Sequence, residues 1–137
     1  MGYSILIVDD SVLIRSGLQA MFEKSDRWER VETAENGQLG IQQMQEMAPD
    51  IVCLDIQMPV MDGLEVLREV QRLKQRGQVP RALPVVVLSG TMHENDDNVR
   101  KAKMLGAADA LAKPEGKSST LTIKFKELEE RLLRLLE

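Results

Sequence analysis

Cysteine, histidine and aromatic side chains are all scarce in this chain: one Cys, one His, two Phe, one Tyr and one Trp among 137 residues. A single cysteine excludes an internal disulfide, and the place of Cys53 inside an apolar run marks it as a small core residue rather than a nucleophile. Such cysteine usage suits a reducing compartment. His93 has no partner at ligand spacing, so it reads as a surface residue rather than a metal ligand. Four aromatics are too few for a base-stacking surface, and 18 basic against 22 acidic residues leave a net charge of −4, so nucleic-acid binding is not expected. No apolar run reaches the ~18 residues of a membrane span. The first one, Ser4 to Val8, is too short, and too soon followed by Asp9 and Asp10, to be a signal peptide, and a cytoplasmic protein is expected.

What the chain does have is three short aliphatic runs: Ile5-Leu6-Ile7-Val8, Ile51-Val52-Cys53-Leu54 and Val85-Val86-Val87-Leu88. Each is continuous rather than alternating, as expected of central parallel strands covered on both faces. Arg30 to Ala34 is only half apolar and fits an edge strand, and Ala108 to Ala112 is a weak fifth one. Between the strands, apolar residues recur at helical spacing. Ile14, Gly17, Leu18, Met21 and Phe22 form an inward stripe behind Ser11, a suitable N-cap. Gly40, Ile41, Met44 and Met47 form a second that Pro49 must end. Leu64, Val66, Leu67, Val70 and Leu73 form a third, and Val99, Ala102 and Leu105, closed by Gly106, a fourth. The last helix runs from about Thr120 to the end. Strand and helix alternate five times with no hairpin signal, which argues for one α/β domain over residues 1–137 with a parallel sheet and helices on both faces.

Polar residues leave these strands at their carboxyl ends: Asp9 and Asp10 after the first, Asp55 after the third, Ser89 after the fourth and Lys113 after the fifth. In a parallel sheet those ends share one edge, where open α/β folds keep their binding sites. Alone, Asp9 and Asp10 would read as a helix N-terminus, Ser89 as a turn residue and Lys113 as a solvated charge. Their convergence is what points to chemistry. Crowded carboxylates repel unless a cation intervenes, and Mg2+ takes hard oxygen ligands of this kind together with a phosphate oxygen. A lysine and a hydroxyl opposite the acids are donors to phosphoryl oxygens.

The stretches Val8-Asp9-Asp10-Ser11, Leu54-Asp55-Ile56-Gln57-Met58-Pro59-Val60-Met61-Asp62-Gly63, Ser89-Gly90 and Lys113-Pro114 together resemble the response-regulator receiver domain of two-component signalling. The resemblance covers nearly the whole chain. It implies a flavodoxin-like, doubly wound five-stranded sheet of order 2-1-3-4-5. It also implies that Asp55 is the phosphoacceptor for a sensor histidine kinase or phosphotransfer domain. Asp10, Asp55 and the Gln57 backbone carbonyl would hold Mg2+, with Asp9 supporting through water. Lys113 would pair with the phosphoryl group, Ser89 would move to bond it, and a cis Lys113-Pro114 bond would aim the lysine inward. Gln57 and Thr91 would tune the phosphoryl lifetime. Output would pass by contact with another protein, the receiver using up the whole chain. Apart from its own phosphorylation and slow dephosphorylation, no enzyme activity is expected.

At Ala110 the sequence departs from the family, which commonly carries Tyr or Phe there as a rotamer switch, so signalling by loop or backbone shifts is expected instead. Ala112-Lys113-Pro114-Glu115-Gly116 is similar to the loop of chemotaxis receivers and of the receiver half of chemotaxis methylesterases. A fragment of such an esterase is therefore an alternative, although no G-x-S-x-G motif is present. A haloacid-dehalogenase-type phosphohydrolase is a weaker rival, because it needs an Asp two residues after the nucleophile and Gln57 stands there. In the last helix, Leu121, Phe125, Leu128, Leu132 and Leu135 line one seam, with Leu133 and Leu136 to its side. That stripe reads either as a face packed on the sheet or as a homodimer surface.

Overall fold

The computed structural model describes residues 2–90, 97–115 and 118–137. Among them, five parallel strands alternate with five helices: β1 Tyr3–Val8, α1 Val12–Lys24, β2 Trp28–Ala34, α2 Gly37–Met47, β3 Ile51–Asp55, α3 Gly63–Gln75, β4 Val85–Ser89, α4 Asp97–Met104, β5 Asp109–Ala112 and α5 Ser118–Leu136. The sheet order is β2-β1-β3-β4-β5, the flavodoxin-like order expected. Thr91 and His93 lie outside the described residues.

The continuous aliphatic runs are buried on both faces. Leu6, Val8, Val52, Leu54, Val85 and Val87 face the layer of α2, α3 and α4. Their neighbours Ile5, Ile7, Ile51, Cys53, Val86 and Leu88 face the layer of α1 and α5. Each fully buried aliphatic side chain contributes roughly 1.5–3 kcal/mol. The sheet is therefore the most strongly fixed part of the molecule, and its carboxyl edge is a rigid base for side chains.

At that edge α1, α2 and α3 begin with side-chain caps. Ser11 Oγ accepts from Ile14 N at 3.3 Å, Asn36 Oδ1 from Leu39 N at 2.8 Å and Asp62 Oδ1 from Glu65 N at 2.9 Å. Helix α2 stops at Ala48, in the left-handed region with φ 47°, directly before Pro49. Gly106, with φ 100°, follows α4 as expected.

Several expectations need correction. Strand β2 begins at Trp28 rather than Arg30, because Trp28 packs edge-on against Phe22 and donates from Nε1 to Glu129 Oε2 at 2.8 Å. That partner lies 101 residues away, beyond any local signal. Gly17 is exposed, not inward. Helix α5 begins at Ser118, and its stripe packs on the sheet: Phe125, Leu128, Leu132 and Leu133 are buried. Among the described residues of α5, Ile123 and Leu135 are the large apolar side chains left exposed. No helix among the described residues is long and apolar enough to cross a membrane.

Gly63 opens α3 against the end of β3. A Cβ there would lie 2.6 Å from the Asp55 carbonyl oxygen and 2.7 Å from Ile56 Cα, both backbone atoms that cannot swing away. Gly63→Ala gains helix propensity worth about 1 kcal/mol but overpacks the strand end at a cost of about 1–3 kcal/mol or more. The expected outcome is a net loss of up to about 2 kcal/mol. Urea unfolding of the variant against the wild type measures it.

Candidate functional site

The carboxyl edge gathers four of the strands into one crevice. Asp9 and Asp10 follow β1, Asp55 and Ser89 are the last residues of β3 and β4, and Lys113 follows β5. The ladders set them at one level: Asp55 pairs with Leu88, Ser89 pairs with Ala112, and Lys113 N donates to Ser89 O at 2.8 Å.

The Lys113 ammonium lies between two carboxylates, 2.9 Å from Asp9 Oδ2 and 3.1 Å from Asp55 Oδ1. All three side chains are buried, at 7%, 3% and 5% exposure. Asp9 Oδ1 also accepts from Ser11 N at 2.9 Å, and Asp55 Oδ1 from Gln57 N at 3.2 Å. Asp10 and Gln57 are exposed at the mouth, and Ser89 is 8% exposed. Among the described residues, the bonds to Asp55 fall on Oδ1, so Oδ2 is the oxygen they leave for an incoming electrophile.

Asp9, Asp10 and Asp55 each offer a carboxylate oxygen within 4.8 Å of the others. One ammonium against three carboxylates leaves two negative charges in surplus, and the donors are all hard oxygens. The residues therefore fit a divalent cation of the Mg2+ type. Burial, and then the nearby charge of Asp9, push the Asp55 carboxyl up from 3.8 to about 6, against the opposing pull of Lys113. Burial disfavours the Lys113 ammonium, but the hydrogen bond to Asp9 and the charges of Asp55 and Asp9 outweigh it and raise its pKa. The lysine is a fixed cation.

All of the expected residues that lie within the description, apart from Ala110, meet in this crevice. Ala110 instead packs against the layer of α2, α3 and α4, opposite Val87 in the ladder. The expected cis Lys113-Pro114 bond is trans, since the described residues contain no cis peptide bond. The lysine reaches both carboxylates without it. Two features escaped sequence reasoning. Arg15 donates from Nη1 to the Asp9 carbonyl at 2.7 Å, which its position four residues after the Ser11 cap could have suggested. Val60 sits at φ 69° with Met61 N bonded to Pro59 O at 2.8 Å, a tight γ-turn that strains a β-branched residue. No sequence rule places valine there.

The profile of the response regulator receiver domain matches residues 5–124. The protein-glutamate methylesterase/protein-glutamine glutaminase of Halalkalibacterium halodurans is 36% identical over 124 residues, which are 90% of this chain and 34% of that protein. The chain thus spans about a third of the length of the curated relatives it matches. Among solved structures, the response regulator domain of Thermotoga maritima CheB superposes with a TM-score of 0.81 at 26% identity, covering 99% of this chain and 97% of that one. Vibrio cholerae chemotaxis protein CheY4 superposes at 0.79 and 26% identity, covering 99% and 100%.

The raised Asp55 pKa fixes a pH dependence. The folded protein retains a proton that the unfolded chain has already lost, so stability falls as pH rises from about 4 to about 6 and stays reduced above that. In metal-free buffer, Asp55→Asn removes this penalty but also one partner of Lys113. A gain of about 1–2 kcal/mol is expected at neutral pH, fading toward pH 4. Denaturant titrations across that range check both size and sign.

Proposed function

Because the chain belongs to the response-regulator receiver family, we propose that it is a phosphorylation-switched signalling module whose phosphoacceptor is Asp55. The observation that carries this is the buried Asp55 carboxylate beside the fixed Lys113 ammonium, at the same sheet edge as Asp9 and Asp10. Asp55 Oδ2 attacks the phosphorus of a phosphohistidine on a sensor kinase or phosphotransfer domain. An O–P bond forms, the N–P bond breaks, and the imidazole leaves with the electron pair. The product is an acyl phosphate on Asp55.

Lys113 holds its charge against the transferring oxygens throughout, because its raised pKa keeps the proton on Nζ. Asp10, Asp55 and the Gln57 carbonyl would hold Mg2+, with Asp9 supporting it through water, and the ion would supply charge neutralisation for the phosphoryl group. Gln57 at the mouth, with Thr91, tunes how fast water reaches the acyl phosphate. Its own phosphorylation and the slow loss of that phosphoryl group are the chemistry this reading gives the module. Ser89 moves to bond that group, and because Ser89 O accepts from Lys113 N, its movement pulls on the backbone after β5. Ala110 has no ring to rotate, so the change passes through the loops and backbone to an output protein. We take residues 1–137 as one receiver domain working in the cytoplasm. Self-association through α5 finds support only in exposed Ile123 and Leu135.

A second reading has a specific observation in its favour: the curated relatives match over only about a third of their length. Residues 1–137 would then regulate a methylesterase domain in the same polypeptide. The gene sequence past codon 137 distinguishes the two.

Labelling with radioactive acetyl phosphate tests the phosphoacceptor. Wild type labels in Mg2+, and Asp55→Asn falls to background; labelling that persists in the variant overturns the assignment. Saturating Mg2+ is expected to stabilise the wild type by about 2.7 kcal/mol at a hundred times its dissociation constant. Asp10→Asn loses most of that gain in the same thermal scan.

A further inference from the structure

The connection from α3 to β4 differs in charge from the rest of this acidic chain. Between Glu69 and Glu94 there is no carboxylate, while Arg72, Lys74, Arg76 and Arg81 all fall there. The segment is also built rather than loose. Helix α3 ends with Gln78 N bonded to Leu73 O at 2.8 Å and Gly77 N to Lys74 O at 3.2 Å, with Gly77 at φ 73°. Val79 and Leu83, each 4% exposed, anchor the loop in the core, and Leu83 N closes a turn onto Pro80 O at 3.1 Å. Lys74 Nζ donates to Leu83 O at 2.8 Å, tying helix to loop.

The same segment borders an open surface depression of about 530 Å³, lined in part by Lys74, Arg76 and Arg81. Arg76 and Arg81 are exposed, and no ion pair among the described residues engages either. Arg72 already pairs with Glu69 at 3.0 Å. We propose that this loop is a docking site for a short acidic segment of a partner protein, with Arg76 and Arg81 as its carboxylate-binding residues. Guanidinium groups present a planar fork that matches a carboxylate, and a held loop loses little entropy on binding. A short acidic peptide suits the site better than nucleic acid. A net charge of −4 repels a long polyphosphate, whereas a segment of a few residues lies within a Debye length, about 8 Å, of the local cations alone. The loop precedes β4, so it lies at the opposite end of the sheet from Asp55, and a partner held there leaves the phosphoacceptor crevice open.

Fluorescence anisotropy with a fluorescein-labelled oligoglutamate peptide tests this on the whole chain. Saturable binding at low salt is expected, weakening as salt rises and falling about tenfold in Arg76→Ala/Arg81→Ala. Arg30→Ala/Arg134→Ala, which removes the same charge elsewhere, is expected to bind as the wild type does. Circular dichroism confirms that both double variants remain folded. The proposal is overturned by any of three results: no saturable binding, equal loss in the two double variants, or a single-stranded DNA of matched charge binding as tightly as the peptide.

Discussion

Everything at the carboxyl edge of the sheet depends on the Lys113 ammonium held between Asp9 and Asp55. Three carboxylates within 4.8 Å of one another, two of them buried and Asp10 at the exposed mouth, repel one another without a counter-charge. The chain supplies one from its least buried strand, β5. That strand is placed by its ladder to β4, and the first residue beyond it is the lysine. The topology explains why the charges meet at all: strands distant in sequence are adjacent in space, and all point the same way. The ion pairs explain why they meet in this geometry, since a lysine 7% exposed would otherwise carry an uncompensated charge.

The loop between Asp55 and α3 is the second constraint, and it works by stiffness rather than charge. Gly63 lets the helix start against the Asp55 carbonyl, and Gly63 N closes the loop onto Ile56 O at 3.0 Å. In between, Val60 turns left-handed, 93% exposed and without burial to offset its strain. Strain of this kind persists only when the surrounding contacts over-determine the backbone. Asp62 capping α3 and Met61 packing near Gly37 are those contacts.

The central strands and the converging residues were legible because their signals are local: an aliphatic run of four residues, a polar residue at its end, a capping Ser. Parallel topology then brought Asp9, Asp55, Ser89 and Lys113 together without further information. What was not legible depended on distant partners. Trp28 belongs to β2 because of Phe22 and Glu129, and Leu133 is buried because α5 rolls it into the layer it shares with α1. The trans Lys113-Pro114 bond is a tertiary outcome as well. A lysine that reaches its carboxylates from the ordinary isomer needs no help from the rarer one.

The four aromatic residues are unevenly distributed. Tyr3, Phe22, Trp28 and Phe125 form one cluster, with ring centroids 4.9–6.2 Å apart, in the layer of α1 and α5. The other layer, which holds α2, α3, α4 and Ala110, is packed with aliphatic and methionine side chains. Every ultraviolet chromophore of this protein therefore watches one side of the sheet. Tryptophan emission and near-ultraviolet dichroism report on α5 and its anchor at Glu129, and are blind to rearrangement around Ala110. For the side around Ala110, methyl resonances of its leucines, valines and methionines are the natural spectroscopic window.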